Sequence, residues 1–181
     1  MRTAVLEAAI EELTTTGYTG LTVERVAQRA GVHKTTIYRN WKDVDGLVAD
    51  ALAGHFAGDI PIPDTGTVEG DLRALARSLV VTMTTRAGRA LLSDAVRLPQ
   101  LAEVKRALFD DRFRRAEPVV TRAVERGELP AHTDATELLK TLAAPIYFRL
   151  VFTGEPVDAT TADRAVHVAL AAARAPALPE D

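Results

Sequence analysis

The chain contains no cysteine. That removes disulfides and thiolate metal sites, and it is compatible with a reducing cytoplasm. It has no run of about 18 apolar residues, so no membrane helix is expected. The opening MRTAVLEAAIEELTTTG is amphipathic and interrupted by acids, unlike a secretory signal. Strand-like alternation is missing along the whole length. Catalytic signatures are missing too: there is no nucleophile elbow, no phosphate-binding glycine loop and no pair of acids placed for proton transfer. Asp163 and His167 are spaced i, i+4 and could share a helix face. Zinc needs three or four ligands, so this pair reads as a surface contact. His55 and His132 have no partners in sequence. The residues therefore call for no cofactor, no metal and no catalytic group, and an enzyme is not expected.

What remains is helical periodicity, with 47% hydrophobic residues to supply a core. A first helix is expected from about Thr3 to Thr16, with Val5, Leu6, Ala9, Ile10 and Leu13 on one face and Gly17 stopping it. Residues 54–66, GHFAGDIPIPDTG, break the period with Gly54, Gly58, Gly66, Pro61 and Pro63. This divides the chain into a headpiece over 1–53, a connection over 54–66 and a helical body over 67–181. In the body, Val68, Leu72, Leu75, Ala76, Leu79, Val80 and Met83 form a clean stripe. A short helix is expected over 88–97 and another over 100–116. Pro118 then starts a new helix at a first-turn position, and Gly127 closes it. Near the end, Leu138, Leu142, Ile146 and Leu150 recur at helical spacing, with Pro145 expected to kink the helix. Ala162, Val166, Ala169 and Leu170 mark a last helix whose small residues permit close approach. The chain is expected to be all-α.

The most specific stretch is TVERVAQRAGVHKTTIYRNWKDVDGL, residues 22–47. Thr22 suits an N-cap, and Val23, Val26, Ala27 and Ala30 make one apolar face. Gly31 falls where a left-handed residue ends a helix cheaply. A second helix from about His33 to Asn40 turns Ile37 and Trp41 inward. It leaves Lys34, Thr35, Thr36, Tyr38 and Arg39 outward. That split, an apolar back and a polar front, is what a helix lying in the major groove of double-stranded DNA requires. The whole chain carries a net charge of -3, which does not suggest a nucleic-acid binder. Between Thr22 and Lys42, however, Arg25, Arg29, Lys34, Arg39 and Lys42 face only Glu24. A local basic face supplies phosphate attraction where it is needed. A next helix is expected from Asp43, with Leu47, Val48, Ala51 and Leu52 inward.

The run GYTGLTVERVAQRAGVHKTTIYRNWKDVDGL, residues 17–47, resembles the DNA-binding domain of the TetR (tetracycline-repressor-like) family. The segment GELPAHTDATELLKTLAAPIYFRLVFTGEPVD resembles, more weakly, the dimerisation region of one branch of that family. There are departures. His33 stands where the family usually caps the helix with Ser, and Val44 stands where a Lys usually meets a phosphate; Lys42, two residues earlier, can compensate. Many members carry a basic arm ahead of the first helix, whereas here that helix starts at Met1-Arg2.

The resemblance implies an N-terminal three-helix helix-turn-helix DNA-binding domain plus a C-terminal helical ligand-binding and dimerisation domain. It also implies a cytoplasmic homodimeric repressor, released from a pseudo-palindromic operator by a small-molecule effector. Lys34 is the first candidate for a base, since Lys donates to guanine O6 and N7. Thr35 and Thr36 suit a thymine methyl or a phosphate, Tyr38 and Lys42 suit phosphates, and Arg39 suits either. Thr22, at a helix N-terminus, also suits a phosphate. The implied dimer interface takes Leu138, Leu142, Ile146, Leu150, Ala162, Val166, Ala169 and Leu170; two adjacent terminal stripes beside a DNA-binding unit favour that reading over burial within one subunit. The large side chains available to an effector are Met83, Phe109, Phe113, Tyr147, Phe148 and Phe152, with Arg86, Arg97 and Arg149 available to an acidic one. The alternative is a ligand-independent dimer whose body only dimerises or recruits a protein.

Overall fold

The computed structural model describes residues 1–56, 62–89, 92 and 102–175, and among them there are helices and no strand. The chain divides into two compact units. One comprises Met1–Asp59 and Thr85–Phe109, the other Ile60–Thr84 and Asp110–Asp181.

The first unit opens with α1, Arg2–Gly20, which buries Val5, Ala8, Ala9 and Leu13. It breaks at Gly17, where φ is 69°, a left-handed conformation that costs glycine little. Helices α2 (Val23–Ala30), α3 (Lys34–Asn40) and α4 (Val44–Phe56) follow. α1 packs against α2 and α4, and α2 against α3. Val26, Ile37 and Leu47 are wholly buried, as the apolar spacing of each helix requires.

The second unit is built on α5 (Val68–Thr84), the C-terminal part of α6 (Ala102–Glu125), α7 (Ala135–Phe148) and α8 (Ala159–Arg174). α7 and α8 pack together and both meet α5. Ala162, Ala165 and Ala169 are almost fully buried, so their short side chains let α8 lie close to its neighbours. Caps fix both terminal helices. Asp134 accepts from the Glu137 N–H at 3.0 Å, and Asp158 and Thr161 form a reciprocal box. The start of α5 is held by polar contacts. The Asp71 carboxylate, fully buried, accepts from the Thr65 N–H at 2.6 Å, and Glu128 accepts from the Val68 N–H at 2.7 Å.

Several expectations change. The helix expected over 88–97 lies largely outside the described residues. Pro118 does not start a helix; it sits inside α6. It lies on the exposed face, where water can take the carbonyl that its missing N–H leaves without a donor. α7 continues through Pro145 to Phe148 and then widens into a π-helical turn, Arg149–Thr153, which Gly154 ends at φ 67°.

The largest correction concerns the stripes assigned to a dimer interface. Leu138, Leu142, Ile146, Ala162, Val166, Ala169 and Leu170 belong to the core of the second unit, with Leu150 packed against it. Their apolar period is satisfied by α5, α6 and each other, so they are committed within one chain.

Candidate nucleic-acid interface

The geometry of α2 and α3 follows from the turn between them. Thr22 Oγ1 accepts from the Arg25 N–H at 3.3 Å, capping α2. Gly31, at φ 67°, ends it, and the Val32 N–H returns to the Ala27 carbonyl at 3.0 Å. His33 then opens α3 from an extended conformation and gives no side-chain cap. The far end of α3 is also held. Trp41 is buried, and its indole N–H donates to Asp50 on α4 at 2.8 Å. Asp50 also accepts both arms of a bidentate contact from Arg2. The Tyr18 hydroxyl donates to Asp45, a further tie between α1 and α4. A short helix with both ends anchored in this way presents its outer side chains at a defined angle.

The outer side chains are those expected. Thr22, Lys34, Thr35, Arg39 and Lys42 are exposed, Tyr38 is half-exposed, and Thr36 is partly covered. The Thr22 hydroxyl is engaged as a cap, which leaves its backbone end for an anion.

The charge reading needs correction. Arg25 and Arg29 are not free on the DNA side. Both donate to Glu12 of α1, at 2.8 Å and at 2.6–2.9 Å, and Arg29 also reaches Glu11 at 2.9 Å. Glu12 is 2% exposed. Hydrogen bonds from Arg25 and Arg29 hold its carboxyl below the usual glutamate range, against the opposing effect of burial. A signal for this was present: Glu12 interrupts the apolar face of α1 between Ala9 and Leu13, where an unpaired acid would be expensive. Lys34 lies 3.7 Å from Glu24. Arg39 and Lys42 have no ion-pair partner among the described residues.

Of the residues assigned to an effector, Tyr147, Phe148 and Phe152 line one groove together with Arg149. Met83 is buried, and Phe113 and Tyr147 are partly so in the second unit, where burial pushes the Tyr147 phenol up to about 12. Phe109 falls in the first unit. Phe148 and Phe152 are exposed, their rings 5.5 Å apart, and the groove they line with Tyr147 and Arg149 is open and includes Ala144 and Pro145. Arg149 faces Glu155, Arg86 donates to the Thr14 carbonyl, and Arg97 lies outside the described residues. Asp163 is held by Arg73 and Arg77. Among the described residues no group of three or more His, Asp or Glu could hold a metal ion, and no helix is long and apolar enough to cross a membrane.

Residues 5–51 match the family described as bacterial regulatory proteins, tetR family, and residues 62–169 match the tetracyclin repressor-like C-terminal domain. The HTH-type transcriptional regulator AqdR of Rhodococcus erythropolis is 32% identical over 172 residues, covering 93% of this chain and 83% of its own. The DNA-binding transcriptional repressor TetR of Mycobacteroides abscessus is 32% identical over 168 residues, covering 86% and 84%. Among solved structures, the TetR family transcription regulator SCO0332 superposes with a TM-score of 0.77 at 35% identity, covering 94% of this chain and 96% of that one.

Proposed function

The chain belongs to the TetR family of bacterial transcriptional regulators, and from that premise we propose that it is a cytoplasmic homodimeric repressor of a pseudo-palindromic operator, released by a small-molecule effector. The observation that carries the reading is α3, anchored at Gly31 and at Trp41, with Lys34, Thr35, Tyr38, Arg39 and Lys42 outward. Lys34 reads a guanine, and Thr35 and Thr36 a thymine methyl or a phosphate. Tyr38, Lys42 and the Thr22 end of α2 hold phosphates, and Arg39 serves either role. Residues 1–53 form the DNA-binding domain and 54–66 the connection. The helical body over 67–181, of which Thr85–Phe109 falls in the first unit, forms the effector and dimerisation domain, and Met83, Phe109, Phe113, Tyr147, Phe148 and Phe152 are the large side chains it offers an effector. Repression is supported by the name of the Mycobacteroides abscessus relative.

A lone headpiece spans few base pairs, so the operator is read by two copies on a two-fold axis. With the inner stripes committed to the core, the second copy meets the outward faces of α7, of the π-helical turn that follows it and of α8. There Phe148, Phe152 and Val168 stand 56%, 72% and 57% exposed. The test is selection of bound duplexes from a random pool by the purified chain. Enrichment of an inverted repeat with half-sites about one helical turn apart supports the symmetric reader. Enrichment of a single half-site, or of nothing, would overturn it. The enriched duplex then serves to screen small molecules for loss of binding, after a thermal-shift screen for compounds that stabilise the native state.

A further inference from the structure

Lys34 does not stand alone on the recognition face. Its Nζ lies 3.7 Å from Oε1 of Glu24, across the Gly31 turn, and both side chains are 62% exposed. Glu24 is the acid in the first turn of α2 and the only acid between Thr22 and Lys42. It therefore sits beside the helix end whose unpaired N–H groups favour an anion. One carboxylate thus compensates the leading cation of α3 and places negative charge where a DNA phosphate would approach.

We propose that Glu24 is a positioning residue that sets the sequence selectivity of this face by holding Lys34 until a base acceptor engages it. The inference rests on the role given above to Lys34. An ammonium has three donors. Guanine offers O6 and N7 together on the groove floor, so Lys34 can donate to both and keep its contact with Glu24. A phosphate on the groove wall offers only a point attraction. To reach it Lys34 swings away, and the bare Glu24 carboxylate is left facing the phosphates. The gain and the repulsion are then of the same kind and nearly cancel. Glu24 therefore penalises random DNA more than the cognate half-site.

Glu24→Gln keeps the shape of the side chain and removes its charge. Wild type, Glu24→Gln, Lys34→Ala and the double variant are compared on the duplex that wild type enriches from the random pool and on a scrambled duplex of the same length, over a salt series. Glu24→Gln is expected to tighten binding to the scrambled duplex by about two- to fivefold, the scale of one exposed ion pair, while moving the enriched duplex by less than about twofold. The selectivity ratio falls accordingly, and the effect shrinks when Lys34 is absent. Equal tightening on both duplexes, or the same gain with and without Lys34, overturns the proposal and makes Glu24 a plain repulsive charge. Those outcomes leave the DNA-reading role intact. Failure of wild type to enrich any duplex overturns that role, and this inference with it.

Discussion

Glu12 is a charged side chain in an apolar setting, 2% exposed on the inner face of α1. Arg25 and Arg29 make this tolerable by donating to both its oxygens. Glu12→Gln keeps the volume but loses the charge-assisted bonds, and it is expected to cost about 1–3 kcal/mol at neutral pH. The pH dependence has a definite sign. The folded-state pKa is lowered from 4.5, so the contribution is present above that value and is lost as the pH falls through the folded pKa. Denaturation midpoints measured from pH 7 to pH 3 should therefore drop more steeply for wild type than for Glu12→Gln, and parallel curves would reject the assignment. On the outer face, Lys34→Ala should relax sequence preference at one base position, costing about 1–3 kcal/mol on the enriched duplex alone. Lys42→Ala should weaken all duplexes alike and reduce the salt slope by about one. Equal losses for both variants on enriched and scrambled DNA would remove that division of labour.

The elements differ in how far local chemistry determines them. The α2–turn–α3 unit is local. Thr22 caps, Gly31 takes φ 67°, and Ile37 and Trp41 turn inward, all within one short stretch. No atom lies within 4 Å of a Cβ added at Gly31, so Gly31→Ala tests backbone conformation alone. It is expected to destabilise the headpiece by about 1–2 kcal/mol, and Gly31→Asn by less, because Asn tolerates the left-handed region. Trp41, the single tryptophan, reports this by fluorescence during urea unfolding. Two equally stable variants would mean that the turn relaxes. The same local legibility covers α1 and α4. It fails where the answer depends on distant chain. Pro118 looks like a helix start because a proline suits that position, yet Val119, Val120 and Ala123 are buried against the core, and their packing carries α6 through it. The Asp71 and Glu128 contacts join residues far apart in sequence, and no periodicity announces them. An apolar stripe says that Leu142 and Val166 face inward, but not whether the inside belongs to one chain or two.

For the whole molecule that ambiguity decides where a second copy can sit. A two-fold interface must be self-complementary, because the same patch appears on both partners. Side chains wholly consumed by their own core cannot provide it, and α7, the π-helical turn Arg149–Thr153 and α8 leave Phe148, Phe152, Val168, Ala171 and Ala172 outward instead. Phe148 and Phe152, their rings 5.5 Å apart, line an open groove with Ala144, Pro145 and Tyr147, so one surface carries exposed rings and apolar walls that a copy of the same surface can pack against. Aspartate at Phe148 and Val168 together should give a folded monomer by sedimentation velocity, with helix content by circular dichroism unchanged, since neither side chain serves the core. Losing the linked second headpiece should weaken binding to the inverted repeat by about 10²–10⁴-fold, while binding to an isolated half-site stays nearly the same. Leu142→Asp is the contrasting variant: it buries a charge in the second unit's core and should cost helix content before it changes assembly. If the outward double variant stays dimeric, or if Leu142→Asp dissociates the dimer without unfolding it, the interface lies on the inner stripes after all.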